Sequence, residues 1–331
     1  MNLASDQPWQ AFGVSRRAIL AAAGAAAESM ACKADAEELA GRRHSERALA
    51  ACDCHVHIFD ADRFPYARER SYTPGPATPD QLRIFMRLMG TTRVVLVQPS
   101  VYGNDNACLL NALRDLGAST ARGIAVIDPQ TVTDAELQAM HAAGVRGVRV
   151  NLEVKGEERG AAAAQAIQKA AQRISPLGWA LQVYADAQVI GALEDLLEDI
   201  RSPLILDHYA GIKAERGLEQ PGMSQILRLM RSGRAYVKMS APYRASVMAS
   251  SYGNLAPFAR AFAEANPERV LWASDWPHTG SASKRDAGAL DVIEPFRKVD
   301  DLRDQGLLQS WLPEAALEPL FARNAERLYG F

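Results

Sequence analysis

Cysteine is scarce in this chain. Only Cys32, Cys52, Cys54 and Cys108 occur in 331 residues, with no CxxC pair, too few for a disulfide-built scaffold. A basic excess is also missing. The 37 Lys and Arg stand against 39 Asp and Glu, a net charge of −2, which argues against non-specific binding to nucleic acid or an anionic membrane. No apolar run reaches the roughly 18–20 residues of a membrane helix. The turn after the first long apolar run reads Phe59-Asp60-Ala61-Asp62. It lacks the glycines with which an open doubly wound sheet cradles phosphate. What remains is an ordinary globular composition, 48% hydrophobic and 23% charged, long enough for a large core.

The first 50 residues differ from the rest. Ser15-Arg16-Arg17-Ala18-Ile19-Leu20 has the form of a twin-arginine export motif, followed by an apolar stretch from Ala18 to Ala27 and an Ala34-Asp35-Ala36 cleavage pattern. The apolar core is short and ends at Glu28, so an alanine-rich extension is the alternative. Residues 1–50 are read as a signal peptide and linker, with periplasmic export expected and a cytoplasmic location otherwise. Residues 51–331 are read as one catalytic domain.

From Ala51 onward a short apolar run, a loop and an amphipathic helix recur. Eight apolar runs are found: Cys52–Phe59, Arg93–Gln98, Gly123–Ile127, Val145–Asn151, Ala180–Tyr184, Pro203–Asp207, Ala235–Met239 and Val270–Ala273. Helical periodicity follows at Thr78–Met89, Asn106–Leu116, Thr133–Ala143, Ala161–Ile174, Ala187–Ile200, Met223–Ser232 and Ala256–Ala265, then at Ala289–Gln309 and Pro313–Tyr329. Near-continuous apolar strands alternating with helices imply a parallel sheet covered by helices. Eight units in about 280 residues predict an α/β fold, a (β/α)8 TIM barrel.

In such a barrel the chemistry sits at the carboxyl ends of the strands. His55 and His57 lie at the end of the first run. Strict alternation puts them on one face with Asp53, leaving Cys54, Val56 and Ile58 on the other. His208 closes the sixth run and Asp275 the eighth. Three imidazoles and a carboxylate converging there can bind one metal ion or stabilise an oxyanion. His278 is a candidate partner for Asp275, while His44 and His141 are read as surface residues.

Asp53-Cys54-His55-Val56-His57, Asp207-His208 and Ser274-Asp275-Trp276-Pro277-His278 together resemble the amidohydrolase superfamily, related-2 branch. Within it the chain is similar to the 2-pyrone-4,6-dicarboxylate lactonases, through Tyr72-Thr73-Pro74, Val97-Gln98-Pro99-Ser100 and Arg146-Gly147-Val148-Arg149-Val150-Asn151, among other segments. The resemblance implies a hydrolase that opens a lactone with water. It assigns the general base to Asp275 and carbonyl polarisation to His55, His57 and His208. Substrate carboxylates fall to Tyr72, Ser100, Arg149, Tyr184 and Arg244. Lys155 stands where the family has a second arginine, keeping the charge but not the bidentate fork. The implied partner is a small anionic lactone, and a homodimer is compatible with the family.

A two-metal site bridged by a carboxylated lysine is not expected, because the fourth and fifth runs contain no lysine. Lys238 sits on the seventh run and is read as a buried charge satisfied by its neighbours. No obligatory metal is expected. A single zinc on His55, His57, His208 and Asp275 is the alternative. Competing readings are a zinc-dependent decarboxylase of the same branch, a sugar-acid lactonase, a lactone isomerase and a non-catalytic solute-binding barrel.

Overall fold

A computed structural model describes residues 51–152, 160–249, 251–280 and 290–331. The stretch read as an export signal and linker, with His44, lies outside the described residues, as does Lys155. No described helix is long and apolar enough to cross a membrane.

Eight parallel strands form one sheet in chain order: β1 (Ala51–Val56), β2 (Thr91–Val97), β3 (Ala121–Ala125), β4 (Val145–Asn151), β5 (Ala180–Tyr184), β6 (Leu204–Leu206), β7 (Ala235–Ser240) and β8 (Val270–Ala273). Helices connect them, giving the expected (β/α)8 barrel. The ring closes at the mouth. The Asp275 amide donates to the His55 carbonyl at 3.0 Å, and the His57 amide donates to the Trp276 carbonyl at 2.9 Å. Asp53 completes the seam, its Oδ1 accepting from the Ser274 amide and its Oδ2 from the Ser274 hydroxyl.

Capping residues start the outer helices where the sequence predicts. Thr78 and Thr133 each form a capping box, with Gln81 and Glu136 respectively. One helical expectation fails for a local reason. Among the described residues from 290 on, helix begins only at Asp301, in Asp301–Trp311, while Ile293–Glu294 pairs with Thr73–Pro74 as a short parallel ribbon. Pro295 lacks an amide proton and biases Glu294 toward extended backbone, so no helix can run through it. The last segment is helical from Glu314 to Tyr329 as expected, with a π turn at Pro319–Arg323, where Pro319 has no amide proton to donate, between Glu314–Glu318 and Asn324–Tyr329. The 187–200 segment divides into Ala187–Ala192 and Glu194–Asp199.

The barrel interior is layered. Cys52, Cys54, Val95, Val97, Ile124, Ile205, Tyr236 and Leu271 pack as one apolar cluster with Tyr329. The remaining apolar strand residues pack against the helices in a larger cluster. Arg122 helps tie down the chain end below, donating to the Tyr329 carbonyl at 3.2 Å and to the Gly330 carbonyl at 2.5 Å.

Candidate active site

Strict alternation along β1 does not hold. Its register against β2 slips between Asp53 and Val56, a β-bulge. Cys52 and Cys54 therefore join the interior cluster, contrary to the expectation for Cys54. Asp53 turns to Ser274, and beyond the bulge His55 and His57 reach the mouth. A bulge at a barrel rim re-aims side chains, and here it brings two imidazole Nε2 atoms within 3.3 Å of each other.

The structure brings His55, His57, His208 and Asp275 together. Asp275 Oδ1 lies 3.6 Å from His55 Nε2, 3.5 Å from His57 Nε2 and 3.9 Å from His208 Nε2. It is buried and has no hydrogen-bond partner among the described residues. The other oxygen, Oδ2, is saturated. It accepts from Arg244 Nε at 2.9 Å and from the Tyr243 hydroxyl at 2.8 Å, with Arg244 Nη2 also at 2.8 Å. Burial opposes ionisation of Asp275, but the Arg244 guanidinium and the surrounding imidazoles outweigh it and hold the carboxyl well below its usual range. Burial keeps His208 uncharged, down to about 3. It also lowers His55, with Lys238 adding to the effect and Asp207 opposing it.

His208 and Asp275 both have left-handed backbone, with φ of 48° and 70°. Such conformations cost non-glycine residues about 1–3 kcal/mol and cluster at functional sites. The turn after His208 also needs Gly211. Its φ is 69°, and a Cβ there would lie 1.9 Å from the Ala185 carbonyl oxygen.

Tyr72, Ser100, Arg149, Tyr184 and Arg244 line a mouth pocket with His57, His208 and Asp275. Arg149 reaches it from β4. Its Nε is 3.4 Å from Asp207 Oδ2, and its guanidinium lies over the Tyr184 ring at 5.5 Å. Arg244 does not project freely into the pocket, because it clasps Asp275 and donates to the Thr279 carbonyl and hydroxyl. The His278 ring does not touch Asp275 itself; its Nδ1 lies 3.4 Å from the Tyr243 hydroxyl that donates to Asp275. The His278 amide donates to the Asp275 carbonyl, and its Nε2 is 3.0 Å from Asp301 Oδ2. His141 differs from the surface reading: it is half-buried and accepts from Trp179 Nε1 at 2.9 Å.

Beneath the histidines lies a polar layer that the sequence reading did not assemble. Gln182, Asp207 and Lys238 are buried at the centre of the barrel. Gln182 Nε2 donates to Asp207 Oδ2 at 2.9 Å, and Lys238 Nζ donates to Gln182 Oε1 at 2.7 Å. Lys238 Nζ is 3.4 Å from Asp207 Oδ1. The signal was present: each is a polar residue at an inward position of an otherwise apolar strand or its end. Lys238 is thus satisfied by neighbours, as expected, but those neighbours include a site histidine.

Three of the upper groups, His55, His57 and Asp275, also have the dimensions of a cation site. Ligands at 2.0–2.1 Å around tetrahedral zinc stand ~3.3 Å apart, close to the 3.3–3.6 Å separations among these three. The orphaned Asp275 Oδ1 suits such an ion. His55, His57 and Asp275 form one buried ligand group, and His55, Asp207 and His208 another.

The amidohydrolase family profile matches residues 52–331. A 2-pyrone-4,6-dicarboxylate hydrolase of Comamonas testosteroni is 32% identical over 294 residues, covering 84% of this chain and 90% of that protein. A 4-sulfomuconolactone hydrolase of Rhizobium radiobacter is 29% identical, covering 85% of this chain and 90% of the relative. A solved Pseudomonas putida structure, described as a candidate 2-pyrone-4,6-dicarboxylic acid hydrolase, has a TM-score of 0.68 and 30% identity. It covers 85% of this chain and 98% of its own.

Proposed function

The chain belongs to the amidohydrolase family, and on that premise we propose that it is a hydrolase that opens an anionic lactone with water. One observation carries this reading: Asp275 divides its oxygens, Oδ2 saturated by Arg244 and Tyr243, Oδ1 buried and bare before three imidazoles.

Asp275 Oδ1 takes a proton from water as its oxygen attacks the lactone carbonyl carbon. Charge that develops on the carbonyl oxygen meets imidazole N–H groups of His55 and His208, with His57 packed beside them to orient His55. The ring C–O bond then breaks, and the departing oxygen takes the proton back from Asp275. The product is a hydroxy acid that loses its own proton to solvent. Arg244 keeps Asp275 ionised and aimed. Arg149, with Tyr72, Ser100 and Tyr184, holds the anionic substituent of the substrate. Lys155 is assigned to the same task.

Zinc, if held by His55, His57, His208 and Asp275, would supply Lewis acidity at the same point. Metal-free hydrolysis is the reading adopted, with the imidazoles as oxyanion donors. Export through the twin-arginine motif is proposed with it, and fractionation of cells with N-terminal sequencing tests that step.

The central test is a ring-opening screen of carboxylated, sulfonated and neutral lactones, each with and without chelator. Opening of an anionic lactone that survives chelation is the expected result. Release of CO2 from an unsaturated acid, with no lactone opened, would replace this reading with a decarboxylase.

A further inference from the structure

Lys238 is a fully buried cation that the reaction scheme leaves idle. It enters from β7 beneath the histidines, and its side chain is fully buried. Burying an ammonium is costly unless it is paired, and the barrel packs an apolar layer just below it. Its position therefore calls for a role at the mouth.

Lys238 Nζ lies 3.3 Å from His55 Nδ1 in hydrogen-bonding geometry. An ammonium only donates, so Nδ1 is the acceptor and carries no proton. The competing arrangement would have His55 Nδ1 donate to Asp207 Oδ1, 3.3 Å away. Asp207 Oδ1 has no hydrogen bond among the described residues, so that contact is electrostatic only. A neutral imidazole with a bare Nδ1 carries its proton on Nε2. His57 is set the other way. Its Nδ1 donates to the Val97 carbonyl at 2.7 Å, which leaves Nε2 bare. The two rings then fit together, His55 Nε2–H facing the bare His57 Nε2 at 3.3 Å.

We propose that Lys238 is a positioning residue that holds His55 as its Nε2–H tautomer, setting the site to hydrogen-bond an oxyanion rather than to ligate a metal ion. A protonated Nε2 cannot donate a lone pair to zinc. With Lys238 removed, Asp207 becomes the sole polar neighbour of His55 Nδ1 among the groups described above. The ring then switches to Nδ1–H, and Nε2 joins the cation site. The inference rests on the hydrolase reading only for the purpose of the N–H, not for its existence.

The test therefore uses no substrate. Nitrogen-15 NMR of histidine-labelled protein distinguishes protonated from bare ring nitrogens, and a His55→Asn spectrum assigns the signal. In the wild-type protein His55 should show Nε2 protonated and Nδ1 bare. In Lys238→Met this should invert, and zinc affinity measured by competition with a chromophoric chelator should rise by about tenfold or more, the scale of outer-sphere effects on metal sites. A wild-type His55 with bare Nε2 would overturn the proposal without any variant. So would a folded Lys238→Met protein with unchanged tautomer and unchanged zinc affinity. Failure of the lactone screen alone would remove the hydrolase reading and leave this result intact.

Discussion

Asp275, Arg244 and Arg149 separate functions that the sequence had grouped: Arg244 pairs with Asp275, Arg149 with Asp207. Replacing Asp275 with Asn keeps the side-chain shape but removes the base. Turnover should fall by at least ~10²-fold, and near-normal turnover in a folded variant would refute the assignment. Arg149 and Arg244 should now behave differently from each other. Arg149→Met removes a charged contact to the substrate, so KM for carboxylated lactones should rise. A loss of ~1.5–3 kcal/mol per charged hydrogen bond corresponds to roughly 10- to 150-fold. Neutral lactones should be little affected. Arg244→Met instead leaves Asp275 Oδ2 with the Tyr243 hydroxyl alone and lets burial raise the carboxyl. It should lower kcat for every substrate, charged or neutral. Steady-state kinetics on one anionic and one neutral lactone decides this, and an identical KM-only defect in both variants would return Arg244 to the substrate.

At the scale of elements, the site depends on how strands end. The turn after β6 swings through three consecutive left-handed residues, His208, Tyr209 and Ala210, into Gly211. Gly211→Ala would drive a methyl group into the Ala185 carbonyl. It should cost about 2 kcal/mol or more and also displace His208. Urea unfolding with activity assays checks both, and a variant of wild-type stability would show that the turn relaxes freely. Strand number, order and most helix starts were legible because apolar periodicity and capping residues are local signals. His55, His57, His208 and Asp275 were legible because rare polar residues ended apolar runs. The β1 bulge was not, since a register slip arises from pairing with β2 and leaves no mark in β1 alone. Nor was Arg244's partner, because Asp275 is 31 residues away in sequence. Pro295 was visible, yet helical periodicity alone carries a helix through it, whereas the helix does continue through Pro319 by way of a π turn.

At the scale of the whole molecule, the barrel carries a column of buried charge: Asp207 with Lys238 and Arg149, and Asp275 with Arg244. Such clusters are poor sources of net stability, yet breaking one partner is expensive. Their pH dependence has a definite sign. Burial raises the Asp207 carboxyl, but Lys238, His55 and Arg149 outweigh it and hold it well below the usual range, as Arg244 and the imidazoles do for Asp275. As pH falls, these two groups in the unfolded chain take up protons first, near the ordinary value of about 3.9. The folded protein resists until much lower pH. The stabilisation is therefore complete above about pH 5 and drains away as pH falls through and below about 4. Burial also holds His208 and His55 neutral in the fold, while the unfolded chain protonates them near the ordinary value of about 6.5. The unfolding free energy should therefore already fall between pH 7 and pH 5, and fall further by pH 3 as the carboxylate contribution drains away. Arg244→Met removes the main charge that lowers Asp275, so its buried carboxyl should take up a proton in the folded state at higher pH. The variant should start from lower stability at pH 7 and lose less on going to pH 3. If it instead loses as much as the wild type over that range, the Asp275–Arg244 pair is not a source of the acid sensitivity.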